Sequence, residues 1–167
     1  HALHFKSPIG LSGSIDPLLT GMPAFQELGF GLLEIGPIVF KEPEIQMPPV
    51  WFEDQIAFSL TPEKVPLKHA LRQLIQNPFH VPVFARLDSS LNSQDLHRCI
   101  EQLSPFVDGF FLYTQQLQLL TKTIGIPCYQ IIDADKAITS NSISNTIDGV
   151  VLDPPYLQIE NRIVEQK

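Results

Sequence analysis

The sequence is short of positive charge, of cysteine and of long apolar runs. Its 11 Lys and Arg stand against 18 Asp and Glu, a formal net charge of −7 at pH 7. No basic face is left to neutralise phosphates, which argues against nucleic acid or an anionic membrane surface and for a protein or a neutral or cationic ligand. The two cysteines, Cys99 and Cys128, fall in a helix-like and a strand-like segment, with no CxxC spacing and no metal-type ligands beside them. They read as buried free thiols of a reducing compartment. No apolar run approaches the roughly 20 residues that span a bilayer, and no charged-then-apolar leader is seen, so the expectation is a soluble, cytoplasmic protein. Histidine is equally sparse: His1 and His4 lie near the terminus and His69, His80 and His97 are scattered. No metal site is expected from that spacing.

What the chain does have is core-forming residues in a regular order. Of its 167 residues 44% are hydrophobic and 17% charged, a balance that suits a single globular domain over 1–167. The start at His1, almost directly in a structured segment, is compatible with a piece of a longer protein. Short apolar runs bounded by turn residues recur at Pro8 to Gly13, Leu32 to Val39, Val81 to Leu87, Gly109 to Tyr113, Pro127 to Ile132 and Gly149 to Leu152. Each reads as a buried strand. Helical patterns lie between them at Pro17 to Leu28, Pro66 to Gln76, Ser93 to Leu103, Gln116 to Thr123 and Asp135 to Thr146.

The helix over Ser93 to Leu103 shows the physical basis of these readings. Asn92 or Ser93 can cap it, Asp95 favours its first turn, and Leu96, Ile100 and Leu103 share one face that should pack on a sheet. Near-continuous apolar strands such as VPVFARL suggest burial on both faces, with the intervening helices as right-handed crossovers between parallel strands. Lys41 to Glu63 is the exception. Prolines at 43, 48, 49 and 62 exclude a long helix there, and the segment reads as an excursion with a hairpin whose arms are Val50 to Phe52 and Ile56 to Phe58. Trp51, Phe52 and Phe58 would line a pocket mouth or, more simply, form the apolar side of that hairpin.

The opening text SPIGLSGSIDPLL, followed by LGFGLLEIGPIVF and EPEIQMPPVWF, resembles the dihydroorotate dehydrogenase family, especially its quinone-linked class. That family opens with a pattern close to NPVGLAAGFDKNG, continues with LGFGFVEIGTVTP and then has a proline-rich hairpin. The resemblance is specific over residues 3 to 60 and topological beyond them. The later segments can be laid in sequence as strands three to six; a rival alignment makes VPVFARLD the fifth strand and sets Arg86 at a flavin-contacting lysine. Both leave two of the eight barrel strands missing, and the chain is shorter than the roughly 200 to 250 residues of a whole barrel. The implied fold is α/β, an incomplete or rearranged TIM-type barrel of about six parallel strands alternating with helices, plus the hairpin excursion near 41–63. Six strands leave two open edges that something must cover or pair with.

What the resemblance implies for chemistry can be followed residue by residue. Ser12, Gly13 and Ser14 occupy the turn whose backbone approaches the flavin in the family, and small residues still permit such an approach. The lysine that follows this turn in active relatives is matched by Pro17, which reads instead as the first residue of a helix capped by Asp16. The EIGT of the family is Glu34-Ile35-Gly36-Pro37 here, so the glycine persists and the hydroxyl is gone. The orotate-binding asparagines have no counterpart in IAFSLTPEKV, and a site built on such hydrogen bonds loses orders of magnitude without them. The serine base maps to the stretch Leu112-Tyr113-Thr114-Gln115-Gln116, where nothing marks Thr114 as activated. The glycine-rich phosphate cradle is missing, either because its strands are absent or because they are IIDADKA and LDPPYLQ. Asp133, Asp135, Asp148 and Asp153 gather late in the chain. Asp153, before Pro154-Pro155, reads as a turn former, with a ligand-facing place at a strand end as the sharper reading.

The resemblance thus implies vestigial cofactor contacts at Ser12, Gly13, Ser14 and Gly36, no catalytic residue and no metal. The leading expectation is a non-catalytic regulatory, sensory or protein-interaction domain, with a protein partner or a second copy at an open sheet edge and no cofactor. The alternative is an FMN-dependent oxidoreductase of pyrimidine biosynthesis completed by a further region or chain. A third is a small-ligand binder without redox activity. Flavin mononucleotide is the cofactor only under the second.

Overall fold

The six apolar runs become six parallel strands in the computed structural model, which describes residues 3–16, 18–42, 50–52, 55–57, 64–120, 124–133 and 147–153. The strands are β1 (Gly10–Leu11), β2 (Leu32–Val39), a hairpin of β3 (Val50–Phe52) and β4 (Gln55–Ala57), then β5 (Val65–Pro66), β6 (Val83–Leu87), β7 (Gly109–Tyr113), β8 (Cys128–Asp133) and β9 (Gly149–Asp153). The helices are α1 (Met22–Phe25), α2 (Leu67–Gln76), α3 (Ser93–Leu103) and α4 (Thr114–Leu119). The main sheet runs in the order β1-β2-β6-β7-β8-β9, every pairing parallel. Each crossover therefore moves the chain one strand further in the same direction. Right-handed crossovers of that kind place all helices on one face, the winding of a barrel rather than of a doubly wound sheet. The result is a half-barrel with its other face turned inward. Ile38 pairs with Leu87 on one side and Val65 on the other, so the short β5 occupies the edge of β2 beyond β1.

The pleat divides the strand residues between two cores. Leu33, Ile35, Val83, Ala85, Leu87, Phe110, Leu112 and Cys128 face the helices and pack with Leu67, Ala70 and Leu74 of α2 and Leu96, Cys99, Ile100 and Leu103 of α3. The alternate positions Phe84, Phe111 and Ile131 fill the concave side with Leu3, Leu32, Tyr113, Tyr129 and Val151. There Phe84 and Phe111 stack with centroids 5.1 Å apart and Tyr129 meets both edge-on. Such offset and edge contacts suit aromatic quadrupoles.

An Asp-Gly pair introduces two of the strands in the same way. Asp108 donates its amide to the carbonyl of Val83 (2.8 Å) and accepts the Val83 amide on its carboxylate (2.9 Å). Asp148 does the same to Cys128, both at 2.8 Å. The glycine that follows makes room: a Cβ on Gly109 would stand 2.6 Å from the Phe84 ring, and one on Gly149 2.9 Å from that of Tyr129.

Two local expectations are corrected. The helix expected over Pro17 to Leu28 is only α1, followed by a 3-10 turn at Gln26–Leu28 that ends at Gly29 with φ +86°. Asp16 does not cap a helix beginning at position 17. Its carboxylate takes the amides of Thr20 (3.1 Å) and Gly21 (2.7 Å), and Leu19 turns through φ +55°, so a loop is held where the helix was expected. Pro17 itself lies outside the described residues. In the hairpin the first arm stands where expected, and the second is Gln55–Ala57, one residue earlier, with Val50 opposite Ala57. The expected helix over Asp135 to Thr146 and Phe58 lie outside the described residues. For α3 the cap is Asn92, whose Oδ1 accepts the Asp95 amide (2.9 Å) while its Nδ2 donates to the Asp95 carboxylate (2.9 Å). No helix among the described residues is long and apolar enough to cross a membrane.

Candidate functional site at the carboxyl ends of the strands

In parallel β/α folds chemistry gathers at the carboxyl ends of the strands, and three of the four candidate cofactor residues, Ser12, Gly13 and Ser14, lie there after β1. Gly13 opens the 3-10 turn Gly13–Ile15 after β1, and Gly36 sits within β2 where its register shifts. The structure brings these two together. A Cβ on Gly13 would stand 2.6 Å from the Gly36 carbonyl oxygen, and one on Gly36, whose φ is +111°, would stand 2.4 Å from the Arg86 carbonyl oxygen. Both glycines are thus required by close approach of backbone to backbone. Ser12 and Ser14 are exposed beside them, their hydroxyls 3.1 Å apart.

Next along the sheet, Arg86 of β6 donates from Nε to Glu34 Oε1 on β2 at 2.5 Å, with both side chains only 11% exposed. The guanidinium that one alignment sets in place of a flavin-contacting lysine is therefore balanced by a carboxylate of the adjacent strand. Beyond β6, Asp88 gathers a polar network. Its Oδ1 accepts the Ser90 amide (3.0 Å), the Ser90 hydroxyl and Lys64 Nζ (3.1 Å). Its carbonyl accepts Gln116 Nε2 at 2.8 Å. Burial pushes the Asp88 carboxyl up, but the Ser90 and Lys64 bonds outweigh it and hold the group below the usual carboxylate value.

Thr114 follows β7 as expected, and its hydroxyl meets Gln130 Nε2 at 3.0 Å, a donor rather than a group that would remove its proton. Gln130 and Gln116 are fully buried, and no buried side-chain polar atom among the described residues lacks a partner. The acidic residues late in the chain separate. Asp133 and Asp153 end their strands as paired neighbours at the carboxyl side, so Asp153 completes β9 before any turn. Asp148 stands at the opposite end, bound to Cys128. Asp135 lies outside the described residues. Histidines stay apart: His69 meets the Leu18 carbonyl, His97 that of Ser93, and His80 lies 3.7 Å from Glu27. Among the described residues no three His, Cys, Asp or Glu side chains are placed to hold a metal ion. Both cysteines are buried and their thiols pushed up to about 12, chiefly by desolvation.

Reasoning from sequence missed the Glu34–Arg86 pair, because residues 52 apart become neighbours only through the sheet order. It missed the Asp-Gly clamps too, although the repeated Asp108-Gly109 and Asp148-Gly149 carried a signal. Toward flavin mononucleotide this end offers the Gly13 turn, where a Cβ would meet the Gly36 carbonyl, and Arg86, which is paired with Glu34.

Fold and site together define an α/β protein whose parallel strands curl into a half-barrel with an aromatic concave core. No protein-family model matches the chain, and no curated protein matches it.

Proposed function

We propose that this domain is a shortened relative of the dihydroorotate dehydrogenase barrel that has lost flavin chemistry and serves as a non-catalytic regulatory, sensory or interaction module. The observation that carries the reading is the packing of Gly13 against Gly36. In the family that the opening sequence resembles, this turn offers its backbone to the flavin; here a single added methyl would meet the Gly36 oxygen at 2.6 Å. Pairing of Arg86 with Glu34 and the replacement of the family's lysine and threonine by Pro17 and Pro37 point the same way.

An interaction role is supported by the edge of β1. This two-residue strand pairs with β2 alone among the described residues. The segment around it carries unusual apolar exposure, with Ile9 at 64%, Ile15 at 61% and Leu18 at 55%. An open edge flanked by exposed aliphatic side chains is a template for a partner strand, from another protein or a second copy.

The enzymatic side is tested by turnover. Purified protein supplied with flavin mononucleotide, dihydroorotate and a quinone or dye acceptor should reduce the acceptor no faster than a protein-free control. Dihydroorotate-dependent reduction that saturates with substrate would overturn the proposal.

A further inference from the structure

On the outer, helical face, α2 and α3 leave a groove of about 510 Å³ between them. Leu67, Leu71 and Ile75 line it from α2 at intervals of four residues, together with Phe40 and with Gln102 of α3. Ile75 is 63% exposed, an uncommon position for isoleucine on a helix whose buried stripe is already supplied by Leu67, Ala70 and Leu74. Ile75, with the half-buried Leu71 four residues before it, therefore leaves apolar surface on the outward side of α2.

The rim of the groove is cationic although the chain as a whole is acidic. Lys68 and Arg72, four apart on α2, both line it, and Arg98 of α3 lies 5.3 Å over the Phe40 ring. No carboxylate lines it among the described residues; on α3, Arg98 lies 4.0 Å from Asp95. In a chain of net charge −7 this is a local reversal of sign over an apolar floor.

We infer that the α2–α3 groove docks an acidic amphipathic helix of a partner protein. An i, i+4 ridge of aliphatic side chains is the surface into which the ridges of another helix fit. Carboxylates flanking the partner's apolar stripe would meet Lys68 and Arg72, which supplies orientation and choice of partner more than raw affinity. A small amphiphile fits less well. Ligand pockets bury most of their occupant, whereas this groove is open along its solvent side and can cover one face only. The inference concerns a different face from the β1 edge and does not depend on the loss of flavin chemistry.

The test uses a fluorescein-labelled helical peptide of about four turns, with leucines at i, i+4 and i+7 and flanking glutamates, and a twin with lysines in place of the glutamates. Fluorescence anisotropy with the whole chain should show saturable binding of the acidic peptide, at least about tenfold tighter than of its twin. Lys68→Glu with Arg72→Glu should reverse that preference, and Ile75→Asp should abolish binding of both. All three side chains lie on the helix surface, and far-ultraviolet circular dichroism checks that each variant stays folded. No binding of the acidic peptide at about 1 mM, equal binding of the two, or binding indifferent to the three substitutions would each overturn the inference. So would displacement of the acidic peptide by decanoate at matched concentration, which would assign the groove to a small anionic amphiphile.

Discussion

Asp108 holds Val83 at both its backbone groups, donating its own amide to the valine carbonyl at 2.8 Å and taking the valine amide on its carboxylate at 2.9 Å. The first residue of one strand is thereby fixed to the residue that precedes the next, and Asp148 repeats the bond pair on Cys128. Parallel sheets have no hairpins to set register, so a clamp of this kind can do it. Asp108→Ala removes a charged acceptor from a part-buried amide and should cost about 1–3 kcal/mol. Asp108→Asn, which keeps an acceptor oxygen, should cost less. Urea midpoints of the three proteins check the order.

Gly36 and Gly29 separate backbone freedom from space. Both have positive φ, but a Cβ on Gly29 would touch nothing within 4 Å, whereas one on Gly36 would meet the Arg86 oxygen at 2.4 Å. Gly29→Ala should therefore cost about 1–2 kcal/mol, the conformational term alone. Gly36→Ala adds overpacking and should cost at least about 3 kcal/mol. Equal losses in denaturant unfolding would contradict the packing assigned to Gly36.

The Glu34–Arg86 pair is mostly buried, so its two halves should be strongly coupled. Arg86→Met leaves a carboxylate in the concave core without that guanidinium and should destabilise by about 3–5 kcal/mol. Glu34→Leu with Arg86→Met replaces the pair by apolar volume and should recover more than half of that loss. A double-mutant cycle in urea supplies the coupling energy.

Cys99 and Cys128 should behave as core residues. With thiols pushed up to about 12 from an ordinary 9.0, the folded state keeps them neutral where the unfolded chain ionises. The unfolded state then binds fewer protons, so the stability they contribute is complete below pH 9.0 and falls as pH rises toward about 12. A thiol-reactive chromophore at pH 8 should label neither cysteine in native protein and both in urea, and a Cys99→Ala, Cys128→Ala variant should lose less stability than the parent on going alkaline.

Much of this architecture is legible in the sequence because its strands are buried on both faces. Apolar runs such as Val83–Leu87 and Gly109–Tyr113 are short, bounded and hard to read as anything else, and α3 carries an Asn92–Asp95 cap and a four-and-three stripe that place it over Ser93–Leu103. The first helix was harder. Its apolar pattern is that of a helix, but the Asp16 carboxylate binds amides four and five residues on, competing locally for the groups a helix would use. The four small residues Ser12, Gly13, Ser14 and Gly36 can be found from a motif, but whether a glycine admits a ligand or a neighbouring strand depends on a distance of a few ångströms that sequence does not encode locally. Pairs such as Glu34 with Arg86, and the cationic groove between α2 and α3, require knowing which helices and strands become neighbours.

The measurement that bears most directly on the central claim is a calorimetric titration of the purified chain with flavin mononucleotide. With Gly13 packed on Gly36 and Arg86 paired to Glu34, no saturable heat is expected up to millimolar flavin. One-to-one binding at micromolar affinity or tighter, lost in a Gly13→Val variant that still folds, would contradict it and restore the barrel's cofactor to this site.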